Sequence, residues 1–416
     1  MSSYRSSARS CPAVFIGVVL GFMAAPGSVP SAWAVGNLQL GPVELHPFFQ
    51  ISESFDDNIC RTEESICQDP RDSTKTKDGE DRITVFSPGL QAVLHLGNHQ
   101  LRTEYRGNFG RYAEFKTENY SDNTLKGDLA FSFPGGLSVL LKDDWKNGHD
   151  PRGFAQNVDL DFYHRNTAGA DLGFRAGPKL RLSLNAVNMV LNYADDARNG
   201  FRDRTDNTLG GTLYYRFLPK TSALLEYGST SVSFDEDNPV LGSVDSQVQR
   251  GYLGLTWEIT ARSQGTLKGG YVRKDFDPAD ANFSGGIVSL ALDHDLSARS
   301  SAHLDAERDV RESNLVTQPY YVATGGRLEL GHLIHSRLEA KLKGGFSRDQ
   351  YPGAMTIGAE TKKRLDDTWT AGAGLEYRPR TWLNLGLRYD RSQRRSVFDE
   401  FEYSDNLYTF NLGVVL

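Results

Sequence analysis

The sequence predicts an all-β chain: a single antiparallel transmembrane β-barrel of about eighteen strands, sixteen being the alternative count, with short periplasmic turns and longer extracellular loops. Three observations predict it. The chain ends in Tyr403–Leu416, where Tyr408, Phe410, Leu412, Val414 and Leu416 alternate with Thr409, Asn411 and Gly413. That is a strand with one apolar face, carried to the final residue. Segments of the same kind fill the rest of the chain, each about ten or more residues long, against five or six for a soluble strand. Their connections alternate between a tight Gly, Pro or polar turn and a longer polar loop. A soluble propeller or β-helix would show short strands or a fixed-period motif, and neither is present.

Composition agrees. Of 416 residues, 39% are hydrophobic, and the mean hydropathy is −0.46. Beyond the leader no run approaches the ~20 apolar residues of a spanning helix, which excludes a helical membrane bundle. A barrel tolerates such polarity because alternate residues face its lumen. The 41 glycines and 11% aromatics suit bends and interfacial girdles.

Taken in order, residues 1–34 read as a cleaved signal peptide. Arg5 and Arg9 precede the apolar core Ala13–Ala25, and Ala32-Trp33-Ala34 is a small-x-small cleavage site. Cys11 lies ahead of the apolar core, so it is not a lipoprotein cysteine. The leader holds two arginines and no acid, so its loss takes the net charge from −7 to −9. Residues 35–416 form one barrel domain. Val43–Phe55 is the first strand, Asp56–Asp81 a long acidic loop, and Arg82–Leu96 the second strand, turned at Gly97-Asn98-His99 into Gln100–Phe115. Asn119–Phe133 returns to Pro134-Gly135-Gly136. The rhythm continues through Leu137–Lys146, Phe162–Arg175, Leu180–Tyr193, Thr205–Phe217, Thr221–Phe234, Gln247–Ile259, Ser263–Phe276 and Asn282–Leu296. Ser300–Val310, Tyr320–Leu330, Arg337–Tyr351, Asp366–Arg378, Trp382–Ser392 and the closing strand complete it. An even count places both termini in the periplasm. The closing strand should pair with both Trp382–Ser392 and Val43–Phe55. Two segments are irregular. The apolar set of Leu180–Tyr193 changes parity around Ala186-Val187, which reads as a bulge or a strand leaving the bilayer. Ser289–Asp295 favours neither face.

Several strands separate their faces cleanly. Arg102, Glu104 and Arg106 oppose Leu101, Tyr105 and Phe109. Asp305 and Glu307 oppose Leu304 and Ala306. Arg337, Glu339, Lys341 and Lys343 oppose Leu338, Ala340 and Leu342, and Arg388 and Asp390 oppose Leu387 and Tyr389. A Lys or Arg facing lipid at mid-bilayer costs about 2–4 kcal/mol, so these charges are predicted to line the pore, paired mostly with one another across strands. Tyr105, Phe109, Trp145, Tyr193, Tyr227, Trp257, Trp369, Tyr377, Trp382 and Tyr389 are candidates for the girdles. Cys60 and Cys67, close together in an exported polar loop, predict a disulfide.

No catalytic constellation, phosphate loop or cofactor motif is present, so no enzyme activity and no cofactor are expected, nor any nucleic-acid partner. Two cysteines without a nearby histidine make no metal centre. Asp56, Asp57, Glu63, Glu64, Asp69 and Asp72 surround them, but their spacing fits a solvated acidic loop better than a calcium loop.

The segment His46-Pro47-Phe48-Phe49-Gln50-Ile51-Ser52-Glu53-Ser54-Phe55-Asp56-Asp57-Asn58-Ile59 resembles the opening strand of the putative beta-barrel porin 2 family, and the likeness extends along the mature chain in length, hairpin rhythm and strand-terminated end. One departure is the final Leu416, where many outer-membrane barrels end in Phe. The resemblance implies a Gram-negative outer-membrane barrel in contact with outer-membrane lipid and assembled by the barrel-assembly machinery. It also implies a role in exopolysaccharide export, with the secreted polymer and periplasmic export components as partners. Two alternatives remain at this stage: a general diffusion porin for small hydrophilic solutes, and a surface-loop adhesin on a structural barrel.

Overall fold

A computed structural model describes residues 38–69, 72–152, 160–260, 262–277 and 281–415. The leader assigned to residues 1–34, and Leu416 at the end of the closing strand, lie outside them.

Eighteen strands form the wall: β1 Val43–Asp56, β2 Asp81–Leu96, β3 His99–Tyr112, β4 Tyr120–Ser132, β5 Leu137–Asp150, β6 Asp161–Ala176, β7 Leu180–Tyr193, β8 Arg204–Leu218 and β9 Thr221–Phe234. The second half comprises β10 Asp245–Thr260, β11 Ser263–Asp277, β12 Phe283–Ser297, β13 Ser300–Glu312, β14 Tyr320–His335, β15 Leu338–Ile357, β16 Glu360–Arg380, β17 Leu383–Ser396 and β18 Tyr403–Val415. Every strand is antiparallel to the next, and β18 pairs with β1 from Phe48↔Val415 to Asp56↔Leu407, which closes the ring. The closing strand also pairs with β17 from Leu383↔Val414 to Arg394↔Tyr403. The seam is hydrogen-bonded by side chains as well: Ser52 Oγ donates to Asn411 Oδ1 at 2.7 Å, and Ser54 Oγ lies 3.0 Å from Thr409 Oγ1. Full closure removes the exposed edges that make open sheets aggregate.

Two short additions lie outside the ring. Leu38–Leu40 folds back on the start of β1, and Ile66–Asp69 pairs with Asp72–Asp78 as a hairpin within the first outer loop. The tight turns gather at one end, where Gly97 (φ +62°) and Gly177 (φ +71°) take the left-handed backbone the reversal demands. The long connections gather at the other end.

The outer surface carries exposed leucines and aromatics in a band. On β16, Tyr377 and Trp369 face outward eight residues apart. That is roughly 27 Å along a strand at ~3.4 Å per residue, or about 21 Å after a ~40° tilt, close to the ~25 Å apolar band of an outer-membrane barrel. Above it the outward face turns charged: Arg82–Glu53 at 2.9 Å, Arg273–Asp275 at 2.8 Å and Arg348–Asp367 at 2.7 Å. Those pairs mark where lipid ends, because charge below that level would be costly.

Two irregular segments resolve differently from their sequence reading. β7 has no bulge: its register with β6 is unbroken from Leu180↔Ala176 to Tyr193↔Tyr163, and that with β8 is equally continuous. Leu180, Leu182 and Leu184 face lipid, whereas Val187, Leu191 and Tyr193 on the opposite parity are buried inside the barrel. The parity change therefore marks an apolar patch on the inner wall. Tyr193 accordingly belongs to the interior and not to a girdle. In Ser289–Asp295 the register aligns Ser289 with Lys268 and Glu307, and Asp293 with Gln264 and His303, on the inner face.

Candidate functional site

The barrel interior is the candidate site, and cross-strand charge rows build its wall. Arg102, Asp128 and Lys142 follow one another across β3, β4 and β5, and Glu104, Lys126 and Asp144 do so one step further out. Opposite charges facing each other across strands stabilise the sheet and neutralise the interior. Lys126 reaches Asp144 at 3.4 Å, and Lys142 reaches Asp171 of β6 at 3.6 Å. Arg106 lies 3.4 Å from Glu104 and 4.6 Å above the Phe48 ring. That ring occupies the space a side chain at Gly89 would fill, since a Cβ there would meet it at 2.0 Å.

On the far wall, Asp305 accepts from Arg327 at 2.9 Å. Glu307 pairs with Arg311. Lys341 donates to Glu376 at 2.8 Å, Glu339 lies 3.6 Å from Arg378, Lys343 faces Glu329 in register, and Arg388 pairs with Asp390. All these residues share the face opposite the exposed leucines. Arg337 does not. It precedes the first residue of β15, in the periplasmic turn, where its guanidinium donates to the Pro379 carbonyl at 3.2 Å.

The upper part of the β13–β14 hairpin leaves the wall. Its ladder with β12 stops at Val288↔Arg308, although β12 begins at Phe283. Val310, Tyr320 and Val322, on the parity that should face outward, instead form one buried cluster with Val232, Val248, Tyr252, Val272, Phe276 and Ile287 from the inner faces of β9 to β12. This arrangement requires the hairpin to lean inward across the lumen. Burial of its apolar face drives the fold-in. Polar contacts fix its position. Arg250 of β10 pairs with Asp309 at 3.1 Å and donates to the Val310 carbonyl at 3.3 Å, and Lys274 of β11, almost fully buried, pairs with Glu312. A cavity of about 950 Å³ remains beside the hairpin. It runs from Ser132 and Ser138 at the periplasmic end to Asp150 and Tyr193 at the outer end, with Asp309, Arg311 and Tyr321 of the hairpin completing its lining.

The outer loops pack on one another. Cys60 and Cys67 form the disulfide, with Cα atoms 5.5 Å apart, against Ile59, Ile83, Tyr112 and Phe115. A buried Arg152–Glu118 pair at 2.8 Å joins the second and third outer loops. Arg202 holds Asp161 at 3.1 Å and Asp150 at 2.9 Å while lying 3.9 Å above the Tyr193 ring. Leu315 of the infolded hairpin packs with Met355, Phe398 and Phe401 from the last two outer connections. Of the acidic first-loop residues, Asp56 and Asp57 gather with Asp405 from the closing strand, their carboxylate oxygens within 4.8 Å of one another. Glu63 and Glu64 are exposed and stand apart. The side chains of Asp69 and Asp72 lie outside the described part.

The profile of the family described as putative beta-barrel porin 2 matches residues 35–416. The chain belongs to this family. It is an outer-membrane β-barrel of porin type, crossing the membrane many times. Solved structures with a similar outline include OpdL of Pseudomonas aeruginosa, with 13% identity, TM-score 0.47, and 91% of this chain and 99% of that chain covered. They also include OpdK of Pseudomonas aeruginosa, with 11% identity, TM-score 0.47, and 89% and 99% covered. The FrpB iron transporter of Neisseria meningitidis has 12% identity, TM-score 0.48, and 84% and 61% covered. No protein of curated function matches the chain. The barrel in this family member rests on its own strand pairing, and its chemistry on its own lumen.

Several interior residues carried no clear sequence signal. Arg250, Lys274, Asp309 and Glu312 sit in strands whose alternation reads as ordinary, and their partners are far away in sequence. The parity change in β7 was the one visible trace of the apolar inner wall.

Proposed function

We propose that this family member is a channel through which small hydrophilic solutes cross the outer membrane. The observation that carries this reading is the polar, mixed-charge cavity of about 950 Å³ that passes the infolded hairpin from one end of the barrel to the other. Its volume suits a solute of a few sugar or amino-acid units, since ligand sites of that class enclose ~300–1,000 Å³. The lining carries both signs, Lys142 with Asp171 and Arg250 with Asp309 among them, and it includes Glu307 of the charges predicted from sequence, so such a solute meets no one dominant binding group. In planar bilayers the purified protein should show steady single-channel conductance. A barrel that inserts correctly and stays silent would refute this reading.

Export of a polysaccharide is the second reading. Tyr163, Tyr193, Tyr214, Tyr252 and Tyr321 line the cavity, and aromatic rings suit the apolar faces of sugars. A deletion strain secreting normal amounts of its exopolysaccharide would remove this alternative. Polymer, lipid and assembly machinery are the partners these readings propose.

A further inference from the structure

The charge pairing of the interior breaks down at the periplasmic end of one wall. At the periplasmic ends of β6 to β10, Arg175, Lys179, Arg181, Arg216 and Lys220 surround a cleft of about 380 Å³, and Glu258 is the one carboxylate in its lining. Arg181 stands directly opposite Arg175 in the β6–β7 register. Like charges so placed repel and weaken a strand pair. Among the described residues, none of the five cations has a carboxylate within ion-pair distance. Arg181 lies 3.9 Å above the Tyr214 ring, and its Nε is buried with no hydrogen-bond partner. The chain as a whole carries a net charge of −7, so this concentration of cations runs against its own composition. Tyr214 lines both this cleft and the main cavity, so the two adjoin.

We propose that the cleft is an anion-binding site at the periplasmic mouth, taking solutes that carry two or more carboxylate or phosphate groups. This inference deepens the channel reading and rests on it for its role in transport, while the binding itself does not depend on an open pore. Uncompensated guanidinium groups around a confined volume offer the forked donors that carboxylates and phosphates accept. An occupying anion would relieve the Arg175–Arg181 repulsion and supply the missing partner to Arg181. Cations at a channel mouth also raise the local concentration of anions entering it.

Two readouts test this with the full mature chain in detergent and in bilayers. Isothermal titration calorimetry should give saturable heats on titration with pyrophosphate and with citrate. The two probes separate phosphate from carboxylate preference. Arg175→Gln/Arg181→Gln/Arg216→Gln should weaken binding by about tenfold or more, the loss expected when several charge-assisted contacts go together. Lys362→Gln, on the exposed outer hairpin, should bind as the parent does. In bilayers under a KCl gradient the parent should favour chloride, and the triple variant should shift the reversal potential toward potassium. Equal binding by parent and triple variant, or no saturable heat with either probe, overturns the site. A silent barrel that still binds pyrophosphate overturns the channel reading and leaves the site standing.

Discussion

Lys274 has a side chain 1% exposed and pairs with the carboxylate of Glu312. Its position shows how individual residues hold the interior together. An ammonium group in so closed a place keeps its charge only while its partner stays. Lys274→Met should therefore strand Glu312 and loosen the infolded hairpin by about 3–5 kcal/mol, whereas Lys274→Met/Glu312→Leu should recover most of that loss. Hydrogen exchange across residues 309–322 measures it, and a single variant that exchanges as slowly as the parent would refute the pairing. On the outer surface, Leu225 is 53% exposed within the lipid band. Leu225→Arg should lower barrel stability by about 2–4 kcal/mol in a refolding assay, the cost of a mid-bilayer charge.

At the scale of elements, the infolded hairpin fills part of the lumen. Replacing residues 311–321 by a short Gly-Ser linker should raise single-channel conductance severalfold, because the cavity would widen toward the full bore of eighteen strands. Unchanged conductance would mean that the hairpin does not narrow the path. The first outer loop depends on a different device. Cys60 and Cys67, seven positions apart, close a small ring, and a ring of that size contributes about 2–3 kcal/mol to holding the loop. Cys60→Ser/Cys67→Ser should speed proteolytic cleavage within residues 57–80 and leave the wall intact. Strands and turns were legible in the sequence because each carries a local signal: alternation with a period of two, or a glycine where the chain reverses. The infolding was not. Val310, Tyr320 and Val322 alternate as wall residues do, and only their distant partners Val248, Val272 and Ile287 reveal that the face meets protein and not lipid. The same limit explains the misreading of β7, whose inner apolar residues looked like a break in register.

For the whole molecule, closure is the decisive prediction. Ser54 and Thr409 face each other across the seam at 3.0 Å, so Ser54→Cys/Thr409→Cys should oxidise to a cross-link only in the folded barrel, and the linked form should resist unfolding in hot detergent. A double variant that folds but does not cross-link would contradict the pairing of first and last strands. The charge rows show what sequence conveys of a lumen. Parity placed Arg102, Glu104, Lys341 and Lys343 on one face, but it could not show which carboxylate answers which cation, since register is set by turns and packing. Arg337 illustrates the boundary error, having been counted as wall one residue before the strand begins.

The lipid band occupies only the lower part of the wall. Above Phe346 the β15 strand continues for eleven more residues to Ile357, on the order of 25–30 Å of height at ~3.4 Å per residue and ~40° tilt. The protein is thus a chimney and not a hole flush with the membrane. Its rim, with the disulfide loop and the interlocked outer connections, stands well clear of the bilayer, so the first surface met from outside is made of packed loops and not of the wall itself.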